Sequence, residues 1–295
     1  MPPPDIKPNS GRKLFFGLFV FPLLIAVGMA VLLSLVVFLT HEEETPESLI
    51  ATIKTGKSRQ QWQKAYELSN ELNRAKKSPP NLAVQKEIIS IIQDGIRYEP
   101  KTRAYMTIAL SHFNNEESVQ ALTNAVHDLD RGVQLYALWG LGILDAKSAV
   151  GEVLPFLKDD NMETRKMAAY VLGVLGNSEL AGELKFLLKD PAAGVRWNAA
   201  LALARLGDGS GSEVLIKMLE RETLVSEYKM PEDEIEKVMI NATKGLALIQ
   251  RPDSIKILES VSRSDTNLKV RQAAINAINF HKSHEVKEAK NINHG

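Results

Sequence analysis

The sequence predicts an all-α chain, an α-α superhelix of stacked helix pairs preceded by one transmembrane helix. Three observations carry that prediction. Residues 14–39 run for 26 positions without a charge. A segment opening on Thr or Val recurs every 31 residues from Thr102 to Val195. Finally, VQLYALWGLGIL, from Val133 to Leu144, has Gln134 as its sole polar residue. A helix apolar all round is one whose faces are covered by neighbours.

The first element is the apolar run LFFGLFVFPLLIAVGMAVLLSLVVFL, residues 14–39. As a helix it would be about 39 Å long, more than the roughly 30 Å hydrocarbon core of a bilayer. It is too long for the core of a secretory signal, and the following THEEETPES offers no small-residue cleavage pattern. The expectation is an uncleaved anchor over residues 14–40 in contact with the lipid bilayer. Lys7, Arg12 and Lys13 precede it, whereas His41, Glu42, Glu43 and Glu44 follow. The positive side stays inside, so residues 1–13 are expected in the cytoplasm. The rest of the chain then lies across the membrane, which in a bacterium is the inner membrane and periplasm. Ala26, Ala30 and Ser34 recur at four-residue spacing and put small side chains on one face, where a second membrane helix could pack.

The repeats set the architecture of the remainder. TRAYMTIALSHFNN at Thr102, VQLYALWGLGILDA at Val133, TRKMAAYVLGVLGN at Thr164 and VRWNAALALARLGD at Val195 align at 31-residue spacing. VMINATKGLALIQR at Val238 and VRQAAINAINFHKS at Val270 continue the series after an insertion of twelve residues. Counting the opening residue as zero, apolar residues at 0, 4, 8 and 11 (Val195, Ala199, Leu203, Leu206) mark one face of a helix. Position 9 is small in Ser111, Gly142, Gly173, Ala204 and Ala247, as close helix crossings require. A second helix follows in each unit, marked by Val153 with Phe156 and Leu157, by Leu184 with Leu187 and Leu188, and by Leu215 with Met218 and Leu219. Asp159, Asp190 and Asp265 stand in the turns, placed to cap the next first helix.

No such unit can bury its own apolar faces, so the copies must stack. The pattern resembles the HEAT repeat, in the short variety named after phycocyanobilin lyases. The resemblance rests on Arg103, Arg165, Arg196 and Arg271 at the second position, the inner Ala and Leu residues, and the Gly176-Asn177 and Gly207-Asp208 ends. Gln134 and Met239 depart from it. It implies a HEAT/armadillo-type solenoid over residues 102–282. Residues 41–101 read as a linker and degenerate opening repeats, with Trp62, Ala65 and Leu68 on a first helix and Pro79-Pro80 opening a second. Residues 283–295 read as a polar tail.

Positions 2, 3, 6 and 10 of a first helix should face outward, and the Val133 copy fills all four with Leu135, Tyr136, Trp139 and Ile143. Neighbouring copies add Tyr105, Ile108, Tyr170, Val174 and Trp197. Two readings fit this strip: wide side chains covering grooves between helices, or a surface that binds a partner protein or a second copy of the chain. The insertion, with Pro231 ahead of Glu232, Asp233 and Glu234, predicts an extended first helix. The stretch from Thr223 to Met230 is expected to form a loop.

Thirty-six basic and 36 acidic side chains balance, and the part beyond residue 40 is slightly acidic. That is a poor match for nucleic acid. The absence of cysteine removes disulfides, thiolate metal sites and Cys nucleophiles, and suits an oxidising compartment. His281 and His284 have metal-ligand spacing but no third ligand, and read as a solvated terminal segment. Asn241-Ala242-Thr243 is a glycosylation sequon falling mid-helix. No catalytic, cofactor or metal constellation is expected. Two functions remain: a membrane-tethered scaffold that binds proteins, with an accessory part of a cell-envelope assembly as its special case, or a bilin lyase-like or chaperone subunit acting on a partner protein. The resemblance implies the second, because similar arrays are subunits of lyases that attach bilins to proteins; those relatives are soluble, and the anchor argues for the first.

Overall fold

The computed structural model describes residues 15–40, 44–74, 81–249 and 251–292, with side chains at all of these except 37–40, 252 and 284–292. Lys7, Arg12, Lys13, His41, Glu42, Glu43, Pro79, Pro80 and His294 lie outside the described residues. The chain divides into two compact units, residues 1–48 and 49–295.

The first unit holds one long helix. A π-helical turn at Phe16–Val20 leads into α1 (Phe21–Thr40). The wide turn falls just before Pro22, whose ring would crowd the Leu18 carbonyl in a regular α-helix. Phe16–Val36 is long and apolar enough to cross a membrane, and none of it is buried. Ala26, Ala30 and Ser34 are all exposed along it.

The second unit is built from helix pairs. α2 (Pro46–Thr55) leads into the opening pair, α3 (Ser58–Arg74) and α4 (Leu82–Gln93). Next come α5 (Pro100–Leu110) with α6 (Glu116–Ala125), and α7 (Arg131–Ile143) with α8 (Val150–Val153). They are followed by α9 (Met162–Leu175) with α10 (Ala181–Phe186), and α11 (Ala193–Arg205) with α12 (Ser212–Lys217). The insertion carries α13 (Arg221–Ser226), and the array ends with α14 (Glu232–Ile249), α15 (Pro252–Ser264) and α16 (Leu268–Ile292). No strand occurs among the described residues. The fold is a HEAT/armadillo-type α-solenoid.

The first helices form one continuous layer in which α3, α5, α7, α9, α11, α14 and α16 each pack against the next. Second helices pack across that layer, as α6 does on α7 and α15 on α16. Val133, Ala137, Leu138 and Leu141 of α7 are fully buried, and so are Ala168, Leu172, Ala199 and Leu203 at matching positions. Two apolar clusters run through the unit and meet in α11, one ending at Leu203 and the other beginning at Ala200. In the three central repeats the second helix is short and preceded by a 3-10 turn, and in the first two another follows it, for example Leu154–Lys158 around Pro155.

Small residues let the first helices approach. A Cβ on Gly173 of α9 would stand 2.5 Å from the Ala202 Cβ and 2.6 Å from its Cα, so α9 and α11 meet at glycine contact. Gly176 and Gly207 close α9 and α11 in the left-handed region, with φ of 72° and 76°. Asp145 holds the same place after α7 at φ 48°, at some conformational cost.

The turn aspartates do more than cap. Asp190 accepts the Ala192 N–H at 2.9 Å and a two-pronged bond from Arg165 of the preceding repeat, at 2.7 and 3.0 Å. Asp159 and Asp265 accept from the N–H of Asn161 and Asn267, each at 2.8 Å. The side-chain caps of α9 and α16 are then these asparagines. The expectation of aspartate caps is corrected accordingly: the carboxylate fixes the turn ahead of the cap, because it must also reach the arginine behind it. Arg103 binds Asp128 in the same way.

The two copies that lack the second-position arginine recover the link from elsewhere. Where Gln134 replaces it, Arg131 reaches Asp159 at 3.0 Å and also donates to the Thr164 hydroxyl at 2.8 Å. Where Met239 replaces it, Arg221 from the insertion grips Asp265 at 2.8 and 3.1 Å. Burial opposes charge on the Asp190 carboxyl, but the Arg165 and Ala192 hydrogen bonds outweigh it and hold the group below its ordinary range.

Three further expectations are corrected. Thr223 to Met230 is not all loop, since α13 occupies its first half and Tyr228 folds back toward α11. Pro231 stands one residue before α14, with its carbonyl accepting from Glu234 and Ile235, so it caps the helix rather than opening it. His281 is not solvated: it is 2% exposed, with Nε2 3.2 Å from the Leu246 carbonyl oxygen of α14, because α16 continues the stack. The side chain of His284 lies outside the described residues.

Two predictions follow from this packing. Gly173→Ala, read by denaturant unfolding, should destabilise the array by about 2 kcal/mol, because the α9–α11 contact is already closed. Asp190→Asn should cost about 2 kcal/mol near neutral pH. A depressed native pKa gives stability that is complete above the ordinary value of 3.8 and lost as pH falls through the native value. Acid titration of the wild type should show that loss, and the variant should show less of it.

Candidate protein-docking face

The outward side of the first-helix layer carries the residues expected to bind. In α7, Tyr136 and Ile143 are 40% and 49% exposed, whereas Leu135 and Trp139 are half-buried between neighbouring helices. Tyr105 of α5 packs edge-on against Tyr66 at 5.4 Å and stacks on Trp62 at 6.5 Å, both from α3. Lys101 places its ammonium 3.3 Å above the Trp62 ring. That end of the strip is an aromatic cluster tying the opening repeat to the next.

Between α5 and α7 the surface opens into a groove of about 560 Å³ lined by Tyr105, Tyr136, Glu99, Lys101 and Asp130. Farther along, Tyr170 of α9 lies 5.3 Å beneath the guanidinium of Arg205, and Val174 is half-buried. Trp197 of α11 meets the Tyr228 ring edge-on at 5.3 Å, and Arg196 donates to the Tyr228 hydroxyl at 3.1 Å. The insertion therefore covers Trp197. Of the nine residues of the expected strip, Tyr136 and Ile143 stand most open, Ile108 is half-buried, and Tyr105 and Trp197 are partly covered by the rings they meet.

The face also extends beyond the expected strip. Leu201, Arg205, Lys244 and Leu248 line a groove of about 180 Å³ with Tyr170. Ile240, Lys244, Ala247, Leu248, Ala277 and Phe280 line another of about 510 Å³ between α14 and α16. These residues lie outside the expected strip, although Leu201 occupies position 6 and Leu248 and Phe280 occupy position 10 of their copies, the places that mark Trp139 and Ile143 in α7. Among the described residues no group of three or more His, Asp or Glu is placed to hold a metal ion.

Comparison with known proteins agrees with this architecture. Residues 150–227 match the family model described as HEAT repeats. The chain is similar to a chain in the solved complex of CpcE and CpcF of phycocyanin lyase from Nostoc sp. PCC7120, with a TM-score of 0.56 and 19% identity over 83% of this chain and 96% of that one. It also matches human deoxyhypusine hydroxylase at 17% identity, over 81% and 84% of the two chains, with a TM-score of 0.36. A designed armadillo repeat protein matches at 17% identity, over 81% of this chain and all of that one, with a TM-score of 0.38. No curated protein matches the sequence. At 19% identity the likeness to the phycocyanin lyase structure is one of fold.

Proposed function

We propose that this chain is a membrane-anchored docking scaffold that binds a partner protein along the outward face of its first helices. The array is held on the far side of the membrane from a cytoplasmic N-terminus. The observation that carries this reading is the exposed aromatic and aliphatic surface around Tyr136 and Ile143, continuous with the Tyr105–Tyr136 groove. Folded domains seldom leave contiguous apolar surface open unless something binds there, and tyrosine and tryptophan dominate binding hot spots. The fully exposed apolar helix Phe16–Val36 supports the anchor. Ala26, Ala30 and Ser34 give it a face for a second membrane helix.

A tethered array gains from its anchor. Confinement to a surface raises the effective concentration of a partner in the same membrane without any new contact. An accessory role in a cell-envelope assembly is the setting that fits both features. The lyase complex in the similar structure is itself a pair of proteins, which agrees with docking as the task of such a surface.

Two outcomes are expected in cells. The chain should stay with membranes after alkaline extraction, and release of the array into the soluble fraction would contradict the anchor. Tyr136→Ala with Trp139→Ala should lower recovery of the crosslinked partner about tenfold or more while the helical spectrum is kept. Unchanged recovery would move the docking surface elsewhere. A bilin absorbance band on the purified chain would favour the lyase-like alternative.

A further inference from the structure

The two grooves toward the end of the array adjoin at Lys244 and Leu248 of α14, and taken together as one channel they reach from α9 and α11 across to α16. It has apolar lining along its length, with Leu201 at one end, Leu248 where the two grooves meet, and Ala247, Ala277 and Phe280 at the other end. No Asp or Glu lines either part. Three cations do. Lys269 is held by Glu236 at 2.9 Å. Arg205 lies over the Tyr170 ring, and neither it nor Lys244 has a carboxylate partner among the described residues. The channel therefore joins apolar surface to two positive charges that the fold leaves uncompensated. Asn198, Asn241, Gln272 and Asn276 add amides to the wall.

We infer that this channel docks an extended segment of a partner protein that alternates apolar and acidic side chains. This deepens the docking reading above and rests on it. Neighbouring helices lie about 9 Å apart, so the three steps from α9 to α16 span about 27 Å. An extended chain covers that distance in about eight residues. Successive side chains of such a segment point to opposite sides. One set can meet the apolar lining at Leu201, Leu248 and Phe280, while a carboxylate on the other set reaches Lys244 and Arg205. The amide walls offer donors and acceptors to its backbone, which a strand laid across helices would otherwise leave unpaired. A basic segment is disfavoured by the same two cations, so the channel selects by charge as well as shape.

The test uses the full chain in phosphatidylcholine nanodiscs and three labelled eight-residue peptides, alternating Leu with Glu, Gln or Lys. The Glu peptide should bind about tenfold more tightly than the Gln peptide, with the Lys peptide weakest. Lys244→Glu, at an exposed position, should keep the helical spectrum and lower affinity for the Glu peptide about tenfold while improving the Lys peptide. Phe280→Ala should weaken the Glu and Gln peptides alike. Equal affinity for Glu and Gln peptides, or a Glu peptide indifferent to Lys244→Glu, overturns the inference. So does a channel that ignores all three peptides yet binds phosphatidylglycerol vesicles through Lys244. Lys244→Glu that still yields the full amount of crosslinked partner sinks this inference alone, whereas no crosslinked partner in the wild type sinks the docking reading.

Discussion

The structure depends on one constraint: no repeat can bury its own apolar faces, so each first helix must be sandwiched by the ones beside it. Val133, Ala137, Leu138 and Leu141 are buried because α5, α6 and α9 all pack on α7. That requirement sets the spacing of small residues, the closeness of the Gly173–Ala202 contact and the continuity of the layer. It also sets where function can lie. With inner positions used for stacking, only the outward positions and the grooves between helices remain open to a partner.

Electrostatics holds the register that hydrophobic stacking alone would leave loose. Each link joins an arginine of one repeat to an aspartate in the turn leading to the next, and the aspartate simultaneously fixes that turn. Charged, two-pronged bonds of this kind are directional, unlike apolar contact, which tolerates sliding. Arg131 and Arg221 are informative because they come from different places in the sequence and arrive at the same carboxylate position. The link is a property of the interface and does not require one sequence position to supply it.

The fold was legible because its signal is periodic. The 31-residue interval, the small position 9 and the apolar pairs of the second helices each follow from the same packed geometry, repeated. What could not be read was contact between elements far apart in sequence. Nothing local to Trp197 announces Tyr228, and nothing local to His281 announces the Leu246 carbonyl. The insertion looked like a loop because its charges mask the turn of helix in α13. The outward strip was legible in α7, where all four outward positions are apolar. It was missed in α14 and α16, where Leu248 and Phe280 alternate with Lys244 and Asn276. That mixture, which hides the surface from a search for apolar residues, also gives it charge selectivity.

Scaffold function on such a layer predicts contact along one side only. The most direct test places a photo-activated crosslinking residue, in intact membranes, at Tyr136 on the first-helix face and separately at Phe186 on α10, which is 76% exposed on the opposite layer. The account predicts a discrete protein adduct from position 136 and none from position 186. Adducts from position 186 alone, or from neither, would contradict it.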